Sequence, residues 1–257
     1  METTHDQLEI HTSIFNKALE TLNESEEWIS EYKMHKRLTE WKRTSNPKFG
    51  NVHSKAAQKT ISRIYSAISS LSSKKQKGEK VGKVRYKNQM HSVEYNQSGF
   101  DVNEKSVRLS KIGEIPIKKH RDVPGEIKGV TLKENKMGEW YVSVITEIET
   151  PDEIPLEDIH SENVIGLDLN VSNLFTDSDG REFESLWQYL EDELDRVRRY
   201  HSKLSRKEYG SNNWEKQRQK LAKAYQKLFN KRDDVLHKLS RWYVDRHELI
   251  AVEDLES

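Results

Sequence analysis

The spacing of apolar residues changes twice along this chain, and those changes restrict the fold more than any other feature of the sequence. Over residues 4–41, Leu8, Ile14, Phe15, Ala18, Leu19, Leu22, Trp28, Ile29 and Leu38 recur at steps of three, four and seven. That is the period of helices buried on one side, and the polar residues 23–26 predict a break between two of them. Pro47 and Gly50 mark a loop over residues 45–51. A third helix follows over about 52–71, with Ala56, Ile61, Ile64, Tyr65 and Ile68 on one face. Residues 69–83 are small, polar and basic, and fit a helix end followed by a flexible linker.

Between residues 84 and 149 the period becomes two, with turn residues at Gly99, Gly113, Pro124 with Gly125, and 135–138. Five or six short antiparallel strands in that length predict a small barrel or sandwich. Strands over 83–87 and 115–121 would alternate charge with apolar residues. Lys118, Lys119 and Arg121 would then lie on a face open to phosphates. A barrel of the oligonucleotide-binding type and a purely structural one fit this pattern equally.

The charges are strongly segregated although 43 Lys and Arg balance 43 Asp and Glu. Residues 1–40 carry −5, 41–136 carry +14, 137–195 carry −16, 196–246 carry +11 and the last eleven carry −4. Two basic blocks of this kind can face a polyanion, or can be solvated faces that pair with acidic ones. Six Trp, ten Tyr and six Phe argue against a disordered chain. The lack of Cys excludes disulfides, thiolate zinc sites, iron–sulfur clusters and a thiol nucleophile. No apolar run approaches the ~18 residues of a membrane span, and the first ten residues lack the pattern of an export signal. The expected location is the cytoplasm, with no membrane partner. Dinucleotide, P-loop and HExxH motifs are absent, and the ten His form no evident ligand set.

The most informative residues lie in the last third. Residues 164–169 form an apolar strand interrupted by Asp168, and residues 178–180 are a turn that sends the chain back through 181–185. An acid within such a strand is costly unless it is paired, bound to metal or at the solvent end. A second short apolar strand, 249–252, runs directly into Glu253 and Asp254. Two carboxylates about 4 Å apart repel by roughly 4 kcal/mol at an effective dielectric near 20, and a divalent cation relieves that conflict. Oxygen-only ligands select a hard ion such as Mg²⁺ or Mn²⁺, which can serve phosphodiester cleavage. Asp177 and Asp179 read as turn residues and Asp254 as a neighbour of the site.

Between the two strands, residues 186–246 form two helices joined by a loop at 209–213. In the second, Trp214, Leu221, Tyr225, Leu228, Val235, Leu239 and Trp242 make an apolar stripe. Lys216, Arg218, Lys220, Lys223, Lys227 and Lys231 occupy other positions, where a nucleic-acid backbone or only solvent would meet them.

The stretch IGLDLNVSNLFTDSDGREF, the basic helical hairpin after it and the final ELIAVEDL, in that order and spacing, resemble the TnpB (OrfB) family of insertion-sequence-encoded proteins, relatives of the type V CRISPR effectors. The resemblance is specific over 162–257, and the preceding layout agrees in outline. It implies an α+β protein: a helical lobe over 1–78, a β-barrel wedge-type domain over 79–150, a linker over 151–162, and an incomplete RNase H-like (RuvC) domain with a helical-hairpin insertion over 163–257. It also implies an RNA-guided DNA endonuclease with guide RNA and target DNA as partners, in a prokaryotic, nucleoid-associated setting. Asp168 matches the family's first metal-binding acid and Glu253 its second. Asn170 stands where many relatives have Gly. The family's third acid and the zinc ribbon before it have no counterpart here, so the chain is expected to hold no zinc. It is expected to be a truncated or split member whose nuclease domain a second polypeptide completes. A nuclease-inactive, repressor-like RNA- or DNA-binding protein and a decayed transposon fragment are the alternatives.

Overall fold

A computed structural model describes residues 2–135, 137–150, 152–169 and 173–253. Asn170 and Asp254, both noted in the sequence, lie outside the described residues. The chain divides into two compact units, 1–149 and 150–257.

In the first unit the helical period produces α1 (Glu2–Glu24), α2 (Glu31–Arg43) and α3 (Ser54–Gln76). The chain breaks after α1 as the polar stretch requires, and the Ser30 hydroxyl caps α2 by accepting from the Lys33 backbone N–H. Pro47–Asn51 forms a short 3₁₀ turn rather than an open loop. Ile14, Phe15, Ala18 and Leu19 of α1 meet Met34 and Leu38 of α2 and Ala57, Ile61 and Ile64 of α3 in one core. His11 is enclosed between α1 and α3, with Nδ1 2.7 Å from the Thr60 hydroxyl. Burial, then the charges of Arg63 and Lys42, push its pKa down to about 3.

The strands of this unit are β1 (Ser92–Asn96), β2 (Phe100–Val102), β3 (Ser106–Leu109), β4 (Gly113–Pro116), β5 (Glu126–Glu134) and β6 (Trp140–Glu147). They form two antiparallel three-stranded sheets, ordered β1-β5-β6 and β2-β3-β4. The sheets share a core of Val93, Tyr95, Val107, Leu109, Val130 and Leu132. No closed barrel forms among the described residues, which corrects that expectation. Pro116 ends β4, and Pro124 in the following segment lacks the N–H that a ladder would need.

Neither proposed basic strand extends as expected. Residues 83–87 pair with no strand, and at and just beyond the end of this segment α1 side chains take up backbone groups. Asn16 donates to the Lys87 carbonyl and accepts from its N–H, both at 2.8 Å, and Thr12 accepts from the Met90 N–H at 2.9 Å. Strand β4 stops at Pro116, so Lys118, Lys119 and Arg121 lie on an irregular segment.

In the second unit, two short 3₁₀ turns at Leu156–Asp158 and Ser161–Asn163 lead into β7 (Val164–Leu169). Then come β8 (Phe175–Asp177), β9 (Glu182–Phe183), α4 (Leu186–Tyr189), α5 (Glu191–Ser205), α6 (Asn212–Val244) and β10 (Leu249–Val252). The four strands form one sheet in the order β10-β7-β8-β9. β10 runs parallel to β7, and β7, β8 and β9 are successively antiparallel. The hairpin α5–α6 closes over Leu190, Val197, Leu221, Ala224 and Leu228. The far end of α6 covers one sheet face, where Leu239, Trp242 and Tyr243 meet Ile165, Leu167, Phe175, Phe183 and Ile250.

Candidate functional site

Strand alternation decides which side chains share a face of the second unit's sheet. Ile165 and Leu167 of β7 pack under α6, so Val164, Gly166 and Asp168 point to the other side. The register pairs Ala251 with Gly166 and Val252 with Leu167. One further step brings Glu253 level with Asp168, on strands spaced about 4.8 Å apart. Both acids are exposed, at the same end of two parallel neighbours and on the face that α6 does not cover. Among the described residues neither has a hydrogen-bond or ion-pair partner. The cost of an acid in an apolar strand is met by placing Asp168 at the solvent end.

Two carboxylates brought together by a sheet suit a hard divalent ion. Mg²⁺ commonly takes one or two carboxylates and keeps water for the remaining positions, so two exposed carboxylates fit that ion. Among the described residues no group of three or more His, Asp or Glu side chains could hold a metal.

The opposite face of the same hairpin holds a third acid in quite different surroundings. Asp177 ends β8, with its side chain fully enclosed. It accepts from the backbone N–H of Asp179 at 3.1 Å and of Arg181 at 2.8 Å, from Arg181 Nη1 at 3.2 Å and from the Tyr243 hydroxyl at 2.8 Å. Burial alone would raise this carboxyl, but the Arg181 N–H, the Tyr243 hydroxyl and the Arg181 guanidinium together hold it below the usual carboxylate range. Tyr243 is pushed up to about 12, by burial first and then by Asp177. Sequence reasoning took Asp177 for a turn residue. Its spacing to Arg181 signalled the local bonds, whereas the contact with Tyr243 spans 66 positions and left no local trace.

The basic residues expected at a nucleic-acid backbone fall into two groups. Lys216, Lys220, Lys223 and Lys227 are exposed and, at spacings of four, three and four, line one face of α6. Lys118 and Arg121 are also exposed. The others are engaged within the protein. Lys231 donates to Glu193 at 2.9 Å and to the Tyr189 carbonyl at 3.0 Å, with its ammonium 4.3 Å from the Tyr189 ring centre. Lys227 of the first group, although exposed, also lies 3.5 Å from the same Glu193. Arg218 forks onto Glu215 through Nε at 2.8 Å and Nη2 at 2.5 Å. Lys119 pairs with Glu104 and lies 3.6 Å from Asp122. Glu215 and Asp122 lie within three positions of Arg218 and Lys119, whereas Glu104 is 15 positions from Lys119 and Glu193 belongs to α5.

The sequence is similar to those of known proteins. Residues 143–257 match the sequence model of the OrfB_IS605 family, described as a probable transposase. The chain is 31% identical over 252 residues to "Putative RNA-guided DNA endonuclease InsQ" of Escherichia coli (strain K12), an alignment that covers 95% of the chain and 60% of that protein. It is 30% identical over 257 residues to a "Putative RNA-guided DNA endonuclease" of Streptomyces pristinaespiralis, covering 94% of the chain and 60% of that relative. The chain thus spans about 60% of the length of the curated relatives it matches. Residues 143–257, which contain both exposed acids, are the part of the chain that matches the OrfB (TnpB) family of probable transposases.

Proposed function

We propose that this chain holds a guide RNA and its DNA target and takes part in divalent-metal-dependent cleavage of that DNA; the names of both relatives describe those proteins as RNA-guided DNA endonucleases. The observation that carries this is the approach of Asp168 and Glu253 at one end of β7 and β10, on an open sheet face. The strand order β10-β7-β8-β9, with β10 parallel to β7, supports an RNase H-like (RuvC) domain into which the α5–α6 hairpin is inserted. Asp168 and Glu253 would hold Mg²⁺ or Mn²⁺. Such an ion, when bound, activates water and stabilises a leaving oxyanion. The two carboxylates would hold the ion at the open end of the sheet, where a scissile phosphate could reach it. Lys216, Lys220, Lys223 and Lys227 attract the nucleic-acid backbone by charge. The same proposal covers a second polypeptide that supplies a further acid to the site, and action at the nucleoid in DNA recombination.

Expression with native flanking DNA, followed by sequencing of the RNA that co-purifies, tests the guide role. A discrete RNA from one end of the element is expected, and RNA no richer than background rejects the role in favour of a decayed fragment. Incubation of that complex with matching DNA and Mg²⁺, alone and with candidate second polypeptides, tests cleavage. Asp168→Ala and Glu253→Ala should abolish it while RNA retention is unchanged. RNA retention without cleavage under every addition selects the repressor-like binding role instead.

A further inference from the structure

We propose that Asp177, Arg181 and Tyr243 are positioning residues, a polar latch that sets the separation of Asp168 and Glu253 and so their joint affinity for a divalent cation. This rests on the metal-binding role proposed above for the two exposed acids.

The latch joins the neighbours of the two strands that lead to those acids, β8, which pairs with β7, and the end of α6, which leads into β10. Asp177 pairs across the ladder with Leu167, one step from the Asp168–Thr176 pair, so any shift of Asp177 moves β7 at the position next to the metal-binding acid. A tight turn between β8 and β9 needs only the bonds from Asp179 and Arg181, which lie within the hairpin. The bond from Tyr243 serves no turn. It comes from the last turn of α6, whose backbone leads through four residues into β10. Tyr243 also meets Phe175 and Phe183 edge-on and stacks on His247, with ring centres 5.7 Å apart, two residues before β10 begins. Arg181 reaches the same helix end, its guanidinium 5.3 Å from the Trp242 ring centre.

Apolar contacts alone would let α6 slide over the sheet with small change in energy, because dispersion and burial have little direction. A buried hydroxyl-to-carboxylate bond does have direction, and leaving either group unpaired there is costly. One enclosed carboxylate therefore fixes the root of β10 against the β7–β8 hairpin.

Mn²⁺ binding to the full chain, read from the electron paramagnetic resonance signal of the free ion, tests the latch without reference to cleavage. Tyr243→Phe removes one hydroxyl, and Asp177→Asn weakens all four bonds. Leu239→Ala loosens the same α6–sheet contact without touching the latch. Asp168→Ala reports on the metal role itself. With circular dichroism confirming the fold, Tyr243→Phe is expected to weaken Mn²⁺ by about three- to tenfold, the effect of a lost outer hydrogen bond. Leu239→Ala should lower Tm at least as much and leave Mn²⁺ affinity unchanged.

Equal Mn²⁺ affinity in Tyr243→Phe and wild type, with binding lost in Asp168→Ala, overturns the latch and leaves the metal role standing. Equal loss in Tyr243→Phe and Leu239→Ala also overturns it, because general loosening then suffices. Binding that is absent from wild type, or undiminished in Asp168→Ala, defeats the metal role and the latch with it. Tyr243→Phe keeps the ring and its packing, so the test survives if Asp177→Asn fails to fold.

Discussion

Ile14, Ile61 and Ile64 in the helical core of the first unit have no exposed surface, and neither do Tyr95, Val107, Leu109 and Val130 between its two sheets. In the second unit, Val197, Leu221 and Leu228 of the α5–α6 hairpin keep 7–8% of their surface in water, and one face of the sheet is not covered by α6. The first unit is therefore held mainly by the area it removes from water. The second relies more on directed polar contacts, at Glu193 with Lys231 and at Asp177 with Tyr243. Asp168, Glu253, Lys216, Lys220 and Lys223 of this unit remain exposed.

Paired core truncations test that contrast most strongly. Ile61→Ala should cost about 2–5 kcal/mol in urea unfolding, and Leu228→Ala should fall at the low end of that range, because a site already touched by water loses less. Equal costs would break the comparison. Acid pH should act next, through His11. Its pKa is lowered in the folded state, so the unfolded chain takes up the proton first as pH falls below about 6.5. Stability of the first unit should decline from there toward pH 3, by at most about 1.4 kcal/mol per pH unit from this residue. His11→Leu should flatten that part of the unfolding profile.

Glu193 responds in a lower window. The Lys231 hydrogen bond holds its carboxyl below the usual range, so its contribution is present above the ordinary Glu pKa and lost as pH falls through the depressed one. Glu193→Gln should lower Tm by less than Leu228→Ala and remove that acid-side dependence. The smallest effects concern the two kinds of lysine. Lys223→Ala should leave Tm nearly unchanged and reduce the salt slope of RNA binding by about 0.7–0.9 if it neutralises one phosphate. Lys231→Ala should lower Tm and leave the slope intact. The reverse pattern would show that the paired lysine leaves Glu193 to meet nucleic acid.

Local periodicity carried much of this structure. The apolar spacing announced α1 to α3 and the long α6, and the short runs ending in Asp168 and Glu253 announced β7 and β10. Failures came where a distant group competed with a local preference. Residues 83–87 alternate like a strand, yet Asn16 and Thr12 of α1 take up backbone groups in and just beyond that segment. Strands β1 to β6 have the expected alternation, but nothing local specified that they would form two sheets instead of one closed barrel. Around the candidate site, the two exposed acids were visible because each interrupts or ends an apolar run. The internal roles of Lys231 and Asp177 were not visible, because their partners Glu193 and Tyr243 stand 38 and 66 positions away.

The parallel pairing of β7 with β10 also governs when the two acids can meet. They are 85 positions apart in the chain, and the whole α5–α6 hairpin must be spanned before β10 finds its place. Closing so long a loop costs entropy that only the finished ladder returns, so this pairing should be among the slowest steps of folding. Until it is complete the chain carries two isolated surface carboxylates with no more hold on a cation than any others. On the metal role proposed above, acquisition of Mn²⁺ would then mark the end of folding.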